Sequence, residues 1–171
     1  MSFSRKSAFA LALAATGWVG AAAADDLPLP SGDVVLTVSG AISNTNVGDT
    51  AQFDMEMLKA LGAVSFTTST IWTEGPQMFT GVTLENLMET VGATADMIKA
   101  TAINDYAVDI PRSDWIASGP IVAYEQNGAG MSLRDKGPLW VVYPYDANSD
   151  YQSEVIYSRS IWQLDRIVVT D

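Results

Sequence analysis

The chain has 171 residues, with twenty Asp and Glu against nine Lys and Arg, a formal net charge of -11, and neither His nor Cys. Without Cys there is no disulfide, thiolate ligand or thiol nucleophile, and without His there is no imidazole-bound metal and no Ser-His-Asp arrangement. The acidity argues against nucleic acid and anionic membrane surfaces, which both call for basic patches.

In chain order, residues 1–24 read as a secretory signal peptide. Arg5 and Lys6 give a basic start, Ala8 to Gly20 an apolar run, and Ala22-Ala23-Ala24 a small-residue cleavage site ahead of Asp25. The expected mature chain, 25–171, is exported to the periplasm, with no later segment suited to crossing a membrane. Seven Lys and Arg then face twenty Asp and Glu, so its formal charge is -13. A Pro-rich leader, Asp26 to Asp33, precedes an alternating strand over 34–40. Asn44 to Asp49 has turn chemistry, and 54–61 reads as a short helix capped by Asp54 and ended by Gly62. A strand over 64–71 is unusually rich in Thr and Ser, and it leads to a polar loop that carries Trp72. After a short strand ending in FTGV, Leu84, Leu87, Met88 and Val91 mark one apolar helix face, with Thr83 as N-cap and Gly92 as stop.

From residue 97 the pattern is mostly β. Strands over 97–103 and 106–110 are separated by Asn104-Asp105, and Ser113-Asp114-Trp115 forms one helical turn. Asn127-Gly128 joins 120–126 to 131–133 as a hairpin, because its tight turn needs positive φ. The run LWVVY, 139–143, reads as a central strand, and 155–161 and 163–169 close the domain as strands. The expected fold class is α+β: one mostly-β domain over 25–171 carrying two short helices.

Few residues are costly to explain by packing alone. Trp72 reads either as a stacking surface for a planar heterocycle or as a structural side chain. Asn104-Asp105-Tyr106 reads as an Asx-type turn, or as a site where Asp105 accepts a pair of ligand N–H groups and Tyr106 packs or donates. Arg159 needs a partner, either Asp105, Asp109 or Asp165, or a ligand. Trp162, three residues on, reads as core or as part of the same pocket.

Four motifs in order carry a family resemblance: FTGVTLENLMETVG, AINDYAVDIP, GPLWVVYP and SRSIWQLDRIVV. Together they resemble the molybdopterin-binding domain of the sulfite-oxidase fold over about 35–169. In that family a metal-ligating Cys belongs at Thr68–Thr70, where this chain has only Thr and Ser, and Trp140 stands where an Arg is frequent. The chain is similar to exported, Cys-less members of the fold, the periplasmic pterin-binding sensors of PruR type. That resemblance implies a non-catalytic protein binding a reduced pterin of monapterin or neopterin type, with molybdenum not expected. Its implied partner is the periplasmic domain of a membrane-bound cyclic-di-GMP diguanylate cyclase/phosphodiesterase. On this reading Trp72 stacks on the ring, Thr70 bonds its edge and Asp105 takes the aminopyrimidine donors. Tyr106 closes one side, and Arg159 meets a ring carbonyl or the polyol tail, with Trp162 behind it. The alternative is a molybdopterin-dependent oxidoreductase whose metal has no Cys ligand.

Overall fold

Capping chemistry sets the helices that the sequence marks most clearly. In a computed structural model that describes residues 27–171, Asp54 caps α1 (Met55–Ala60) by accepting from Met57 N at 2.9 Å. Thr83 caps α2 (Leu84–Thr90) by accepting from Asn86 N at 3.1 Å, and Leu84, Leu87 and Met88 are buried as the apolar spacing predicts. Gly92 ends α2 at φ +62, where a Cβ would lie 2.0 Å from Ser43 Oγ. The signal segment expected over 1–24 lies outside the described residues.

Among the described residues, ten strands build two five-stranded sheets. The first contains β1 (Val34–Gly40), β2 (Ala51–Asp54), β5 (Met97–Ala102), β6 (Ala107–Pro111) and β10 (Leu164–Thr170), in the order β2-β1-β10-β5-β6. Here β1 and β10 run parallel with Thr37 opposite Arg166, and the other pairs are antiparallel. The second sheet runs β3 (Val64–Thr68), β4 (Gln77–Thr83), β7 (Ile121–Gln126) and β8 (Ala129–Gly130), with β9 (Trp140–Val142) also paired to β7. Gly81 in β4 lies against β7 so closely that a Cβ would stand 2.2 Å from Val122 O. Side chains of both sheets and of all three helices feed one buried cluster, which includes Leu36, Phe53, Leu58, Phe79, Leu87, Trp140, Ile156 and Ile167. No described helix is long and apolar enough to cross a membrane.

The α+β, mostly-β class is what the sequence led us to expect, but four local expectations differ. The strand over 64–71 stops at Thr68, so Thr70 lies in the following loop. There the Thr68 hydroxyl and Ser69 N both turn to Asp146, which replaces further pairing with β4. The segment 155–161 is not a strand: it contains α3 (Glu154–Arg159), capped by Ser153, so the described residues hold three helices rather than two. Its apolar residues Val155, Ile156 and Tyr157 are β-branched or aromatic, but burial of Ile156 against the core overrides that local preference. The hairpin turn forms as expected, with Asn127 at φ 53 and Gly128 at φ 79, but its return strand is only Ala129–Gly130. Leu133 to Asp135 coils instead into a 3-10 turn. The LWVVY run is buried, but its core, β9, is laddered only to β7, with an isolated bridge from Trp140 to Trp162 on its far side.

Candidate functional site

Three connections converge to make a cleft. The first is the turn between β5 and β6, where Ala102 N donates to Tyr106 O at 2.8 Å and Asp105 takes the left-handed conformation at φ 66. The second is the end of α3 and the link to β10, which brings Tyr157, Ser158, Ser160, Ile161 and Trp162. The third is the loop after β3, which delivers Trp72. Ile103 N donates to Gln163 O at 3.0 Å and so ties the first connection to the second. The cleft has a volume of about 280 Å³.

Aromatic rings make its walls. Trp72, Tyr106, Tyr157 and Trp162 all line it, and the indole of Trp72 meets Tyr157 at 5.8 Å and Trp162 at 5.6 Å, edge to face. Behind Trp72 stand Trp140 at 5.8 Å and Tyr145 at 6.4 Å. Such T-shaped contacts fix ring orientation, each worth about 0.5–1.5 kcal/mol beyond the area buried. The floor is braced from below by hydrogen bonds: Trp140 Nε1 donates to Ser160 O at 3.2 Å, and Tyr145 OH to Ser160 Oγ at 2.6 Å. Burial pushes the Tyr145 phenol up to about 12, so this hydroxyl stays a donor at neutral pH.

The polar lining is sparse. Asn104 Oδ1 accepts from Tyr106 N at 3.2 Å, which leaves the amide NH2 as a donor toward a ligand. Ser158 Oγ donates to Val155 O at 2.6 Å and keeps its lone pairs. Among the described residues, no carboxylate lines the cleft. Lys136 stands beside it, its Nζ 5.6 Å from the Trp140 ring centroid and 6.0 Å from that of Trp162.

The structure thus brings three of the six expected residues, Trp72, Tyr106 and Trp162, to one cleft and places three outside its lining. Trp72 is half-buried against aromatic neighbours rather than standing free in its loop. Thr70 turns inward on its own loop, sharing a hydrogen bond with Thr73 Oγ1 at 2.8 Å and accepting from Trp72 N at 3.1 Å. Asp105 is exposed and its carboxylate pairs with Arg166. Arg159 pairs at 2.9 Å with Asp114, in the 3-10 turn that follows β6, and not with Asp105, Asp109 or Asp165. Asp114 also accepts from Tyr143 OH at 2.8 Å, and burial with the adjacent carboxylate raises the Tyr143 phenol far above its usual range. Asn104 was visible in the sequence as part of its turn but was given no ligand role, and Tyr157 and Ser158 were not expected at the site. Tyr157 and Ser158 were hidden by the reading of their segment as a strand.

The site can also be tested against the cofactor that the fold family implies. At the position of a ligating Cys, Thr68 is 1% exposed and its hydroxyl is used by Asp146 N at 3.0 Å, and Ser69 N donates to Asp146 Oδ2 at 2.6 Å. Among the described residues no group of three His, Cys, Asp or Glu is placed to hold a metal ion. Arg112, Arg159, Arg166 and Lys59 are engaged with acids, and of the other described bases, Lys99, Arg134 and Lys136, it is Lys136 that stands against the cleft's rings. These residues do not fit a molybdenum pyranopterin held by a thiolate and a basic phosphate grip.

No family model matches the chain, and no curated protein matches it. Among solved structures, its fold is similar to the crystal structure of the sulfane dehydrogenase SoxCD from Paracoccus pantotrophus, with a TM-score of 0.61 and 15% sequence identity. The match covers 80% of this chain and 38% of that one, so this chain spans well under half the length of that structure. At that identity the likeness speaks to fold, and the fold is of the sulfite-oxidase type that the motif order suggested.

Proposed function

We propose that the chain is a non-catalytic binding protein for a small flat heterocycle, a reduced pterin of monapterin or neopterin type. The observation that carries this reading is the cleft itself: four aromatic side chains around about 280 Å³, with one free amide donor and no carboxylate in its lining. That volume falls just below the usual range of ligand pockets, about 300–1,000 Å³. It suits one fused ring system better than a pyranopterin with its metal and phosphate. Trp72, Tyr157 and Trp162 would hold the ring by stacking and edge contacts, with Tyr106 closing the open side. The Asn104 amide would donate to a ring carbonyl or nitrogen. Asp105 would reach the aminopyrimidine edge only by releasing Arg166, an exposed ion pair worth at most about 1 kcal/mol.

The proposal extends to location and partner. The Arg5-Lys6 start and Ala-rich run support export to the periplasm. The mouth stays open, with Tyr106 55% and Trp162 38% exposed, so a bound ring would remain visible to a protein docking over it. That supports reporting of ligand occupancy to the periplasmic domain of a membrane-bound cyclic-di-GMP enzyme. The test is to purify the exported protein and extract its ligand, then to titrate added reduced pterins while following Trp fluorescence. Co-purified pterin, or saturable micromolar quenching, is the expected result; neither pterin mass nor binding would sink the reading.

A second reading rests on the fold shared with SoxCD: an oxidoreductase whose molybdopterin metal lacks a Cys ligand. The engaged Thr68 hydroxyl counts against it, as do the ion pairs that occupy Arg112, Arg159 and Arg166. Stoichiometric molybdenum in the purified protein would favour it over the binding protein.

A further inference from the structure

We infer that Lys136 makes the cleft selective for heterocycles bearing an anionic substituent, a carboxylate or a phosphate, over their neutral counterparts; this rests on the ring-binding reading above. Lys136 is half-buried, and its Nζ lies over both Trp140 and Trp162, the latter a cleft wall. Among the described residues it makes no ion pair, whereas Arg159 and Arg166 both do.

The backbone holds it there at a cost. Lys136 has φ 71 and Gln163 φ 53, both left-handed without being glycine, and the two are joined by Gln163 N donating to Lys136 O at 3.0 Å. Gln163 Nε2 adds a bond to Leu133 O at 2.8 Å, tying the loop that carries Lys136 to the residue after Trp162. Asp105, the left-handed residue of the β5–β6 turn, flanks the same cleft. Among the described residues, three of the four non-glycine left-handed residues therefore stand next to cleft-wall residues without lining the cleft themselves, and such strain persists where the surrounding structure enforces a geometry.

Electrostatics gives the arrangement its meaning. A chain with a formal charge of -11 repels anions at long range, so one would bind only where acids are absent and a cation is at hand. Among the described residues no carboxylate is in the cleft's lining, the flanking Asp105 is paired with Arg166, and half-buried Lys136 stands against Trp162, one of the walls. There it can accept an anion while its stem stays on the rings.

The experiment compares two matched pairs by titration calorimetry: pterin with its ring carboxylate derivative, and neopterin with its phosphate monoester. Wild type is expected to bind each anionic member about tenfold tighter than the neutral one, as a charge-assisted contact gives. Lys136→Gln should remove that preference and leave neutral binding within about twofold, and Lys136→Arg should restore it. Melting temperatures of all three proteins separate a folding defect from a selectivity change. Preference in one pair only would identify the substituent as carboxylate or phosphate. Equal affinities across both pairs, or a preference that survives Lys136→Gln in a folded protein, overturn the inference and leave the ring-binding reading standing. Binding of no pterin at all overturns both.

Discussion

Trp72 and Tyr106 face one cleft but have different stakes in the fold. Trp72 is wedged among four aromatic rings, so Trp72→Ala should destabilise by about 3 kcal/mol while also removing ligand binding. Tyr106 is 55% exposed, and Tyr106→Ala should leave stability within about 0.5 kcal/mol. Loss of its stacking face should still lower pterin affinity about tenfold. Urea unfolding and ligand titration on the two variants check both halves, and Tyr106 is the cleaner probe of function. What the sequence could not disclose at this scale is pairing. Arg159 meets Asp114 across 45 positions and Arg166 meets Asp105 across 61, and with twenty acids for nine bases nothing local says which acid each base will find. Trp72, Tyr106 and Trp162 were legible because aromatic side chains beside turn residues announce themselves. Asn104 was not, since its turn chemistry already gave it a reason to be there.

Elements whose signals agree were read correctly, and α2 shows why. Its Thr83 cap, its 3-4 apolar spacing and its Gly92 stop all point the same way. In α3 they conflict, with Val, Ile and Tyr favouring a strand and only Ser153 and Glu154 speaking for a helix start. The FTGV stretch was legible as a strand, but the need for its glycine became visible only once β7 was in place. Gly81→Ala would drive a methyl into the Val122 carbonyl, and since both sides are backbone, about 1–3 kcal/mol of stability should be lost, measurable by chemical unfolding. The cap of α1 makes a pH prediction. Asp54 accepts from Met57 N and also from Ser31 N at 2.7 Å and Gly32 N at 2.8 Å, and these bonds, that of Met57 foremost, hold it down to about 2 from 3.8. A group lower in the folded state contributes fully above its unfolded value and loses that contribution as pH falls through the folded one. Asp54→Ala should therefore melt earlier than wild type at pH 6, with the gap narrowing below pH 3.8 and closing near 2. Thermal scans across that range check it, and a constant gap would refute it.

At the scale of the whole molecule, the first sheet depends on its last strand. β10 lies between β1 and β5, so removing Leu164–Thr170 would split the sheet and unseat the turn that carries Asn104 and Tyr106. Such a chain should show no cooperative unfolding and no ring binding, which circular dichroism and titration would reveal. The parallel register between Thr37 and Arg166 also has a meaning in time. The pairing joins positions near opposite ends of the described chain, and contacts of such long range form late and slowly. A chain leaving the ribosome cannot close this sheet until residue 164 and those beyond it have emerged. For a protein that we propose to be exported, that delay is an advantage: the polypeptide stays threadable through a narrow translocation channel and locks only once its final strand has crossed.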